Sequence, residues 1–172
     1  MTPILENLQR RFGLDWTVLL VGWEGPGKYP RLIDVQDVKD YALSNSGDTH
    51  LSEEAIVELE SVDEDDTAAI CRMLRSLSTA SGSRSIALRK WIVCLLDRTL
   101  GDLPDEPTHG LLALSDFWER FDYPKFCPHG VQGRDETRAP GDYYTETNFR
   151  ATVEKHKRWL AQEIEALQGE RP

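Results

Sequence analysis

Apolar residues recur at intervals of three and four along most of this chain, and that spacing constrains its fold more than any other feature. The stretch from Ile86 to Leu100 is apolar on nearly all sides, which is typical of a central buried helix. Phe149 to Leu167 places apolar side chains on one stripe, which predicts a long amphipathic helix at the end of the sequence. No segment combines the strict alternation of a strand with hairpin turns. The pattern predicts an all-α fold of seven or eight helices in one domain, residues 1–172.

Helix-start signals locate most of the elements. Asp34 lies between the apolar residues Ile33 and Val38, an arrangement typical of a side-chain cap with an apolar contact around the first turn. The same signal begins at Leu51 and again at Val62–Asp63. Asp15 can cap a helix over 16–23, although 16–21 is also typical of a strand. We expect helices near 4–12, 16–23, 35–44, 53–60, 64–79, from Ser83 or Ser85 to Gly101, near 111–121, and from Thr145 or Thr147 to Leu167.

The net charge of −10 is concentrated in one segment. Between Asp34 and Asp66 there are twelve acidic residues and a single base, Lys39, whereas the rest of the chain has 18 acidic and 19 basic residues. Two interpretations are open: carboxylates at helix N-termini, where the helix dipole favours them, and a surface that recruits a basic partner. The acidic residues that such a partner would contact are Asp48, Glu53, Glu54, Glu58, Asp63, Glu64, Asp65 and Asp66.

Composition and charge argue against several classes of protein. The negative balance disfavours nucleic acid or an anionic membrane as the main partner. No apolar run approaches the ~18 residues of a membrane span, and the order of regions that marks a signal peptide is absent from residues 1–16. Three scattered cysteines do not form a disulfide framework. We expect a cytoplasmic protein with no nucleic-acid or membrane partner, and the aromatic residues leave room for a homo-oligomer.

A near match to the phosphate-binding loop G-x-x-x-x-G-K-[ST] extends from Gly22 to Tyr29. Tyr29 stands where a Ser or Thr hydroxyl would hold magnesium. Pro30 follows it, so no helix begins there whose N-terminus could hold phosphate. We therefore predict a Gly/Pro turn between two helices at this position.

Residues 123–144 interrupt the helical pattern. They contain three prolines, three glycines and no helical period, which predicts a long irregular loop. A loop of this length inside a compact domain is uncommon and is often functional. With the last helix, this loop contains the residues of a possible ligand site: Cys127, His129, Arg134, Asp135 and His156.

The side chains of this loop are compatible with metal or thiol chemistry, although the pattern is incomplete for both. Cys127 and His129 can each bind a metal ion, but no second close pair supplies the remaining ligands of a structural zinc site. The same two residues could act as thiol and base, yet no third group that would orient the base is identifiable. The sequence therefore predicts no metal, no cofactor and no catalytic residue.

Basic residues of the loop and the last helix offer a further possibility. His156 lies on the apolar stripe of that helix, where a histidine is usually buried with its hydrogen bonds satisfied. Its neighbours make the helix locally basic, and together with two loop arginines they could bind an anion or pair with acidic residues of the same chain. These basic residues are Arg134, Arg138, Lys155, Lys157 and Arg158.

Two short stretches support a resemblance to a known family. They are Asp37-Val38-Lys39-Asp40-Tyr41-Ala42 and Trp118-Glu119-Arg120-Phe121-Asp122-Tyr123-Pro124. With these stretches, the sequence resembles a family of small bacterial proteins known only as a domain of unknown function. The resemblance implies a small helical bacterial protein and supplies no catalytic residues. By analogy, families of this kind are often toxin-neutralising or accessory proteins.

Two hypotheses about function follow from the sequence. The leading one is a non-enzymatic protein that binds a basic protein partner through its acidic segment, as an immunity-type inhibitor of a basic toxin would. The alternative is a small-ligand- or metal-dependent enzyme whose site is formed by residues 123–144 and the last helix. The concentration of charge between Asp34 and Asp66 and the incomplete catalytic motifs favour the first.

Overall fold

The computed structural model describes residues 1–45, 58–59, 61–63, 66–79, 82–135 and 137–169. Within these ranges the chain forms eight helices and no strand, so the prediction of an all-α fold is confirmed. The helices are α1 (Pro3–Phe12), α2 (Trp16–Glu24), α3 (Val35–Ser44), α4 (Thr67–Ser78), α5 (Arg84–Gly101), α6 (Pro107–Glu119), α7 (Pro140–Tyr143) and α8 (Glu146–Gly169). They belong to two compact units, Met1–Ile92 and Val93–Pro172. That the whole chain is one domain stays a prediction.

In the first unit, two carboxylates begin helices where the sequence predicts them. Asp15 Oδ1 accepts a hydrogen bond from the backbone N–H of Val18 at 2.9 Å and caps α2. Residues 16–21 are therefore helical rather than a strand. Asp34 caps α3 in the same way, and Asp37 completes a capping box by accepting from the backbone N–H of Asp34 at 3.1 Å. Asp15, Asp34 and Asp37 thus stabilise helix N-termini.

The beginning of α4 differs from the prediction. The sequence indicated a cap at Asp63 and a helix over 64–79, but Asp66 Oδ1 accepts from the backbone N–H of Ala69 at 2.9 Å and the helix begins at Thr67. A cap at Asp66 places the fully buried Ile70 at the fourth helical position. A cap at Asp63 would place Thr67 there, so burial selects the later start. The helix predicted near 53–60 lies almost wholly outside the described residues.

The core of the first unit is organised around Trp91. Its side chain is fully buried, and its indole Nε1–H donates to the carbonyl oxygen of Val18 at 2.9 Å. The ring lies against Gly22 so closely that a Cβ there would be 2.4 Å from the nearest ring atom. Only glycine fits, because any side chain would overlap the indole. The glycine that begins the apparent phosphate motif is therefore a packing residue.

The remainder of that motif forms a turn after α2. The helix ends at Glu24, and Gly25 has a positive φ of 89° that glycine adopts readily. Tyr29 N–H donates to the carbonyl oxygen of Pro26 at 3.1 Å, which closes the turn. The predicted Gly/Pro turn is confirmed. Because the loop follows a helix C-terminus, the dipole there repels a phosphate.

The two longest helices are α5, with 18 residues, and α8, with 24. The longest uninterrupted apolar run of the sequence, Trp91–Leu96, lies within α5 and is buried throughout. Across the described ranges, no helix combines the length and mean hydropathy needed to cross a bilayer.

In the second unit, α6 packs against α8. Leu114, Phe117 and Trp118 are buried as predicted, but α6 begins at Pro107 rather than Leu111. Glu106 extends the helix by accepting from the backbone N–H groups of Thr108 and His109, at 3.1 and 2.8 Å. The two helices approach closely at Gly110, where a Cβ would lie 2.4 Å from the ring of Phe149.

Residues 123–144 form the predicted irregular segment, with one difference. Asp122 and Tyr123 have positive φ values of 55° and 48°, which turn the chain sharply after α6. Pro140–Tyr143 then forms the short helix α7, which the sequence analysis did not predict. Proline at the first helical position is favourable, because its missing N–H has no partner there in any case.

Candidate functional site

A cleft in the second unit lies between residues 128–143 and the first half of α8. Its volume is about 360 Å³, within the range of small-molecule sites. Its walls consist of Pro128, Gly130, Arg138, Tyr143, Asn148, Ala151, Thr152, Lys155 and Arg158. Three of these residues are basic, and none of the described residues in the walls is acidic. We call this feature the cationic cleft.

Lys155 and Arg158 supply much of the charge of the cleft. Neither forms an ion pair with a carboxylate in the described part of the chain, and Arg158 Nε donates only to the backbone oxygen of Glu154, at 3.4 Å. The neighbouring Lys157 is different, since its Nζ pairs with the Glu154 carboxylate at 2.9 Å and it does not line the cleft. All three side chains are exposed, and the helical period places Lys155 and Arg158 at the cleft and Lys157 outside it.

The third base, Arg138, is held by buried neighbours. Its Nη1 donates to Asn148 Oδ1 at 2.9 Å, and its guanidinium lies 5.8 Å from the centre of the Tyr143 ring. Asn148 Nδ2 in turn donates to the carbonyl oxygen of Tyr143 at 2.7 Å, and the Tyr143 hydroxyl donates to that of Gly130 at 2.8 Å. Tyr143 and Asn148 are 3% and 8% exposed. The wall that contains Arg138, Tyr143 and Asn148 is therefore ordered before any ligand enters.

His156 lies on α8 one residue after Lys155 and is fully buried. Its Nε2 accepts from the indole Nε1–H of Trp118 at 2.9 Å, so the proton must be on Nδ1, which donates to the carbonyl oxygen of Thr152 at 2.7 Å. Both ring nitrogens are satisfied in the neutral form, and burial lowers the pKa of His156 to about 4. His156 is a structural residue that ties α8 to α6.

His129 packs its ring against that of His156, with 5.4 Å between the ring centres. Its Nε2 lies 2.8 Å from Ser115 Oγ, whereas its buried Nδ1 has no hydrogen-bond partner among the described residues. The distance to Ser115 suits a nucleophile and its base. However, no carboxylate in the described ranges orients Nδ1, and burial lowers the pKa of His129 to about 3, with His156 and Lys155 adding to the effect. A histidine this weakly basic is poorly suited to accept a proton from serine.

Cys127 has no features of a catalytic thiol or a metal ligand. Its sulfur accepts from the backbone N–H of His129 at 3.3 Å, which fixes the turn through Pro128. Burial raises the pKa of the Cys127 thiol to about 11, so little thiolate is present at neutral pH. Among the side chains that the structure describes, no three His, Cys, Asp or Glu residues converge as metal ligands.

The possible ligand site from the sequence is brought together only in part. Cys127, His129 and His156 lie close together behind the cleft, whereas Arg134 and Asp135 pair with each other at 3.1 Å and do not line it. The Arg134 guanidinium also lies 4.5 Å from the centre of the Tyr123 ring. Sequence reasoning missed the roles of Ser115, Trp118, Tyr143 and Asn148, because their hydrogen-bond partners, 5 to 38 residues away, are not indicated by any local pattern.

The acidic segment is described at only three of its eight proposed contact residues. Glu58 and Asp63 are exposed, and Asp66 caps α4. Asp48, Glu53, Glu54, Glu64 and Asp65 lie outside the described residues. Where the structure describes this segment, helix capping accounts for Asp34, Asp37 and Asp66.

Comparison with known proteins identifies a family to which the chain is similar. The sequence model of a family described as "Uncharacterized protein conserved in bacteria (DUF2247)" matches residues 6–164. This range includes both stretches on which the resemblance rests, and all of the cationic cleft. No curated protein and no solved structure gives a significant match.

Proposed function

We propose that this chain, which belongs to the DUF2247 family of bacterial proteins, binds a small anionic ligand in the cationic cleft. The observation that carries the proposal is the convergence of three bases on a cavity of about 360 Å³ whose described walls hold no carboxylate. Lys155 and Arg158, which form no ion pair in the described part of the chain, repel each other and focus a positive potential into the cleft. A carboxylate or phosphate group relieves that repulsion and accepts charge-assisted hydrogen bonds.

The rigid walls support binding at useful affinity. Arg138 is already oriented by Asn148 and Tyr143, so the ligand does not have to order it. Lys155 and Arg158 lie on one face of α8, whose other side is fixed to α6 through His156 and Trp118. Two of the three donors therefore lie on a helix, and the third is held on the irregular segment by its hydrogen bond to Asn148.

We propose binding rather than catalysis. The pairs that could support a nucleophilic reaction, Ser115 with His129 and Cys127 with His129, have a weakly basic imidazole and a protonated thiol. Both pairs have a structural role instead, because they fix the segment that forms one wall of the cleft. A binding protein differs from the enzyme of the alternative hypothesis, but its proposed site lies in the same part of the chain.

Isothermal titration calorimetry with inorganic phosphate at low ionic strength measures the affinity of the protein for an anion and tests the proposal. We expect Lys155→Gln and Arg158→Gln each to weaken binding about tenfold, the effect of removing one charge-assisted hydrogen bond. Lys157→Gln is the matched control, since it removes the same charge from the same helix outside the cleft. Absence of binding, or an equal loss in the control variant, would contradict an anion site in this cleft.

A second candidate function is binding of a basic protein, of which neutralisation of a basic toxin is the specific form. It is supported by the exposed carboxylates of Glu58 and Asp63, which lie in the segment that holds the whole charge imbalance. Such a surface accelerates association with a partner of opposite charge. The capping acids of the same segment do not contribute, because their side chains already accept from backbone N–H groups.

Charge reversal distinguishes specific binding through the acidic segment from non-specific association. We expect Glu58→Lys with Asp63→Lys to abolish capture of a basic protein from the host, and 0.5 M salt to weaken capture by the native chain by about tenfold or more. Glu165→Lys reverses an exposed charge of α8 outside the segment and should leave capture unchanged. Capture that is insensitive to salt, or lost equally in Glu165→Lys, argues against an acidic docking surface.

A further inference from the structure

The cationic cleft continues along α8 into a second cavity of about 410 Å³. The two cavities share Pro128, Lys155 and Arg158, and the second adds Trp159 and Gln162 from the next turns of the helix. Because residues at these spacings lie on one helix face, the basic side chains of Lys155 and Arg158 lie between a polar end at Asn148 and an aromatic end at Trp159. A ligand held by Lys155 and Arg158 can thus reach both ends.

The aromatic end offers a flat apolar surface beside the charges. Trp159 is half-buried, with its ring edge-to-face against Trp118, 5.4 Å between ring centres. Its plane is nearly parallel to that of Phe126, at 13° and 6.0 Å, and Phe126 is 41% exposed. Contacts with Trp118 and Phe126 hold the indole in one orientation, and the part of the ring that lines the second cavity is open to a ligand.

Gln162 completes this end with the ability to form polar contacts. Its exposed amide both donates and accepts hydrogen bonds. A purely apolar ring would leave that amide unused, whereas the polar edge of a heteroaromatic ring would pair with it. From Lys155 to Trp159 the helix rises only about 6 Å, so a single molecule with an anionic group and an aromatic ring can contact both residues.

On the basis of the proposed function, we infer that the anionic ligand also has a heteroaromatic ring, as a nucleoside monophosphate does. The phosphate lies in the cationic cleft among Arg138, Lys155 and Arg158. The base stacks on Trp159, with its polar edge towards Gln162. Stacking on a tryptophan is tolerant of base identity, so the inference concerns the class of ligand and not a particular base.

Calorimetric titration with three probes tests this inference. The probes are inorganic phosphate, adenosine 5′-monophosphate and adenosine. We expect the monophosphate to bind about tenfold more tightly than phosphate, the gain that one stacked ring provides, and adenosine to bind more weakly than the monophosphate. In Trp159→Leu the monophosphate should bind only as tightly as phosphate does, while the affinity for phosphate, which also verifies folding, should not change.

The outcomes distinguish this inference from the proposed function. If phosphate binds in a Lys155-dependent manner and the monophosphate binds no more tightly, the ring site is wrong and the anion site stands. The same conclusion follows if Trp159→Leu weakens both probes equally. If neither phosphate nor the monophosphate binds, the anion site is wrong and this inference fails with it.

Discussion

Lowering the pH from 7 to 5 is expected to reduce the free energy of unfolding by about 4 kcal/mol, because two buried histidines are neutral in the folded chain. Burial lowers the pKa of His129 to about 3 and that of His156 to about 4, from an ordinary value of 6.5. Between these values the unfolded chain binds protons that the folded chain does not. Stability is therefore lost as the pH falls below 6.5, and for His156 the loss levels off only near pH 4.

Urea unfolding followed by circular dichroism at pH 7, 6 and 5 measures this loss. His156→Gln keeps an acceptor and a donor at that position but does not titrate, so the variant should lose only about half as much stability over the same range. His109→Gln, which replaces an exposed histidine instead of a buried one, is the comparison variant. The lowered pKa of Glu24 and of Glu106 affects stability only below pH 4.5. A His156→Gln variant as sensitive to pH as the native chain would contradict this account.

The bond between Trp118 and His156 should have a large effect at neutral pH. His156→Leu leaves the buried indole N–H of Trp118 without an acceptor, which is expected to cost about 1–3 kcal/mol beyond the change in packing. Trp118→Phe removes the donor and strands the Nε2 lone pair in the same way. Because the double variant has neither polar group, its loss of stability should be smaller than the sum of the two single losses by about 1–3 kcal/mol.

A matched pair of variants shows whether that coupling is specific. Trp91→Phe removes a different buried indole donor, whose partner is the carbonyl oxygen of Val18. Since Trp91 and His156 share no hydrogen-bond partner, the losses of Trp91→Phe and His156→Leu should add. If the losses of Trp118→Phe and His156→Leu add equally well, the hydrogen bond makes no net contribution to stability.

The sequence predicted the fold well where local interactions decide it. Asp15 and Asp34 begin helices because their side chains reach backbone N–H groups three residues later, and such contacts are visible in the sequence. The predicted start of α4 was wrong. Asp63 and Asp66 are equally good hydrogen-bond acceptors, and only the burial of Ile70 selects Asp66 as the cap. The start of α6 was late, because Glu106 is a less common capping residue than Asp or Ser.

The cleft was predictable in outline and not in detail. The interrupted pattern over residues 123–144 located it, and the cluster of bases suggested an anion. Which bases converge depends on tertiary contacts: Arg134 stacks on Tyr123, whereas Arg138 is held in the cleft by Asn148. Nothing in the local sequence distinguishes those two arginines, and the importance of Asn148 follows only from its buried position.

The hydrogen bond between Trp118 and His156 also makes the indole proton of Trp118 a reporter of structural opening in the second unit. A buried indole proton bound to a nitrogen lone pair exchanges with solvent only when the surrounding helices separate. Its exchange rate, read from one resolved NMR signal, therefore measures the free energy of that opening without any label. Because Lys155 and Trp159 lie on either side of His156 along α8, a molecule bound between them would slow the exchange of a proton that it never touches.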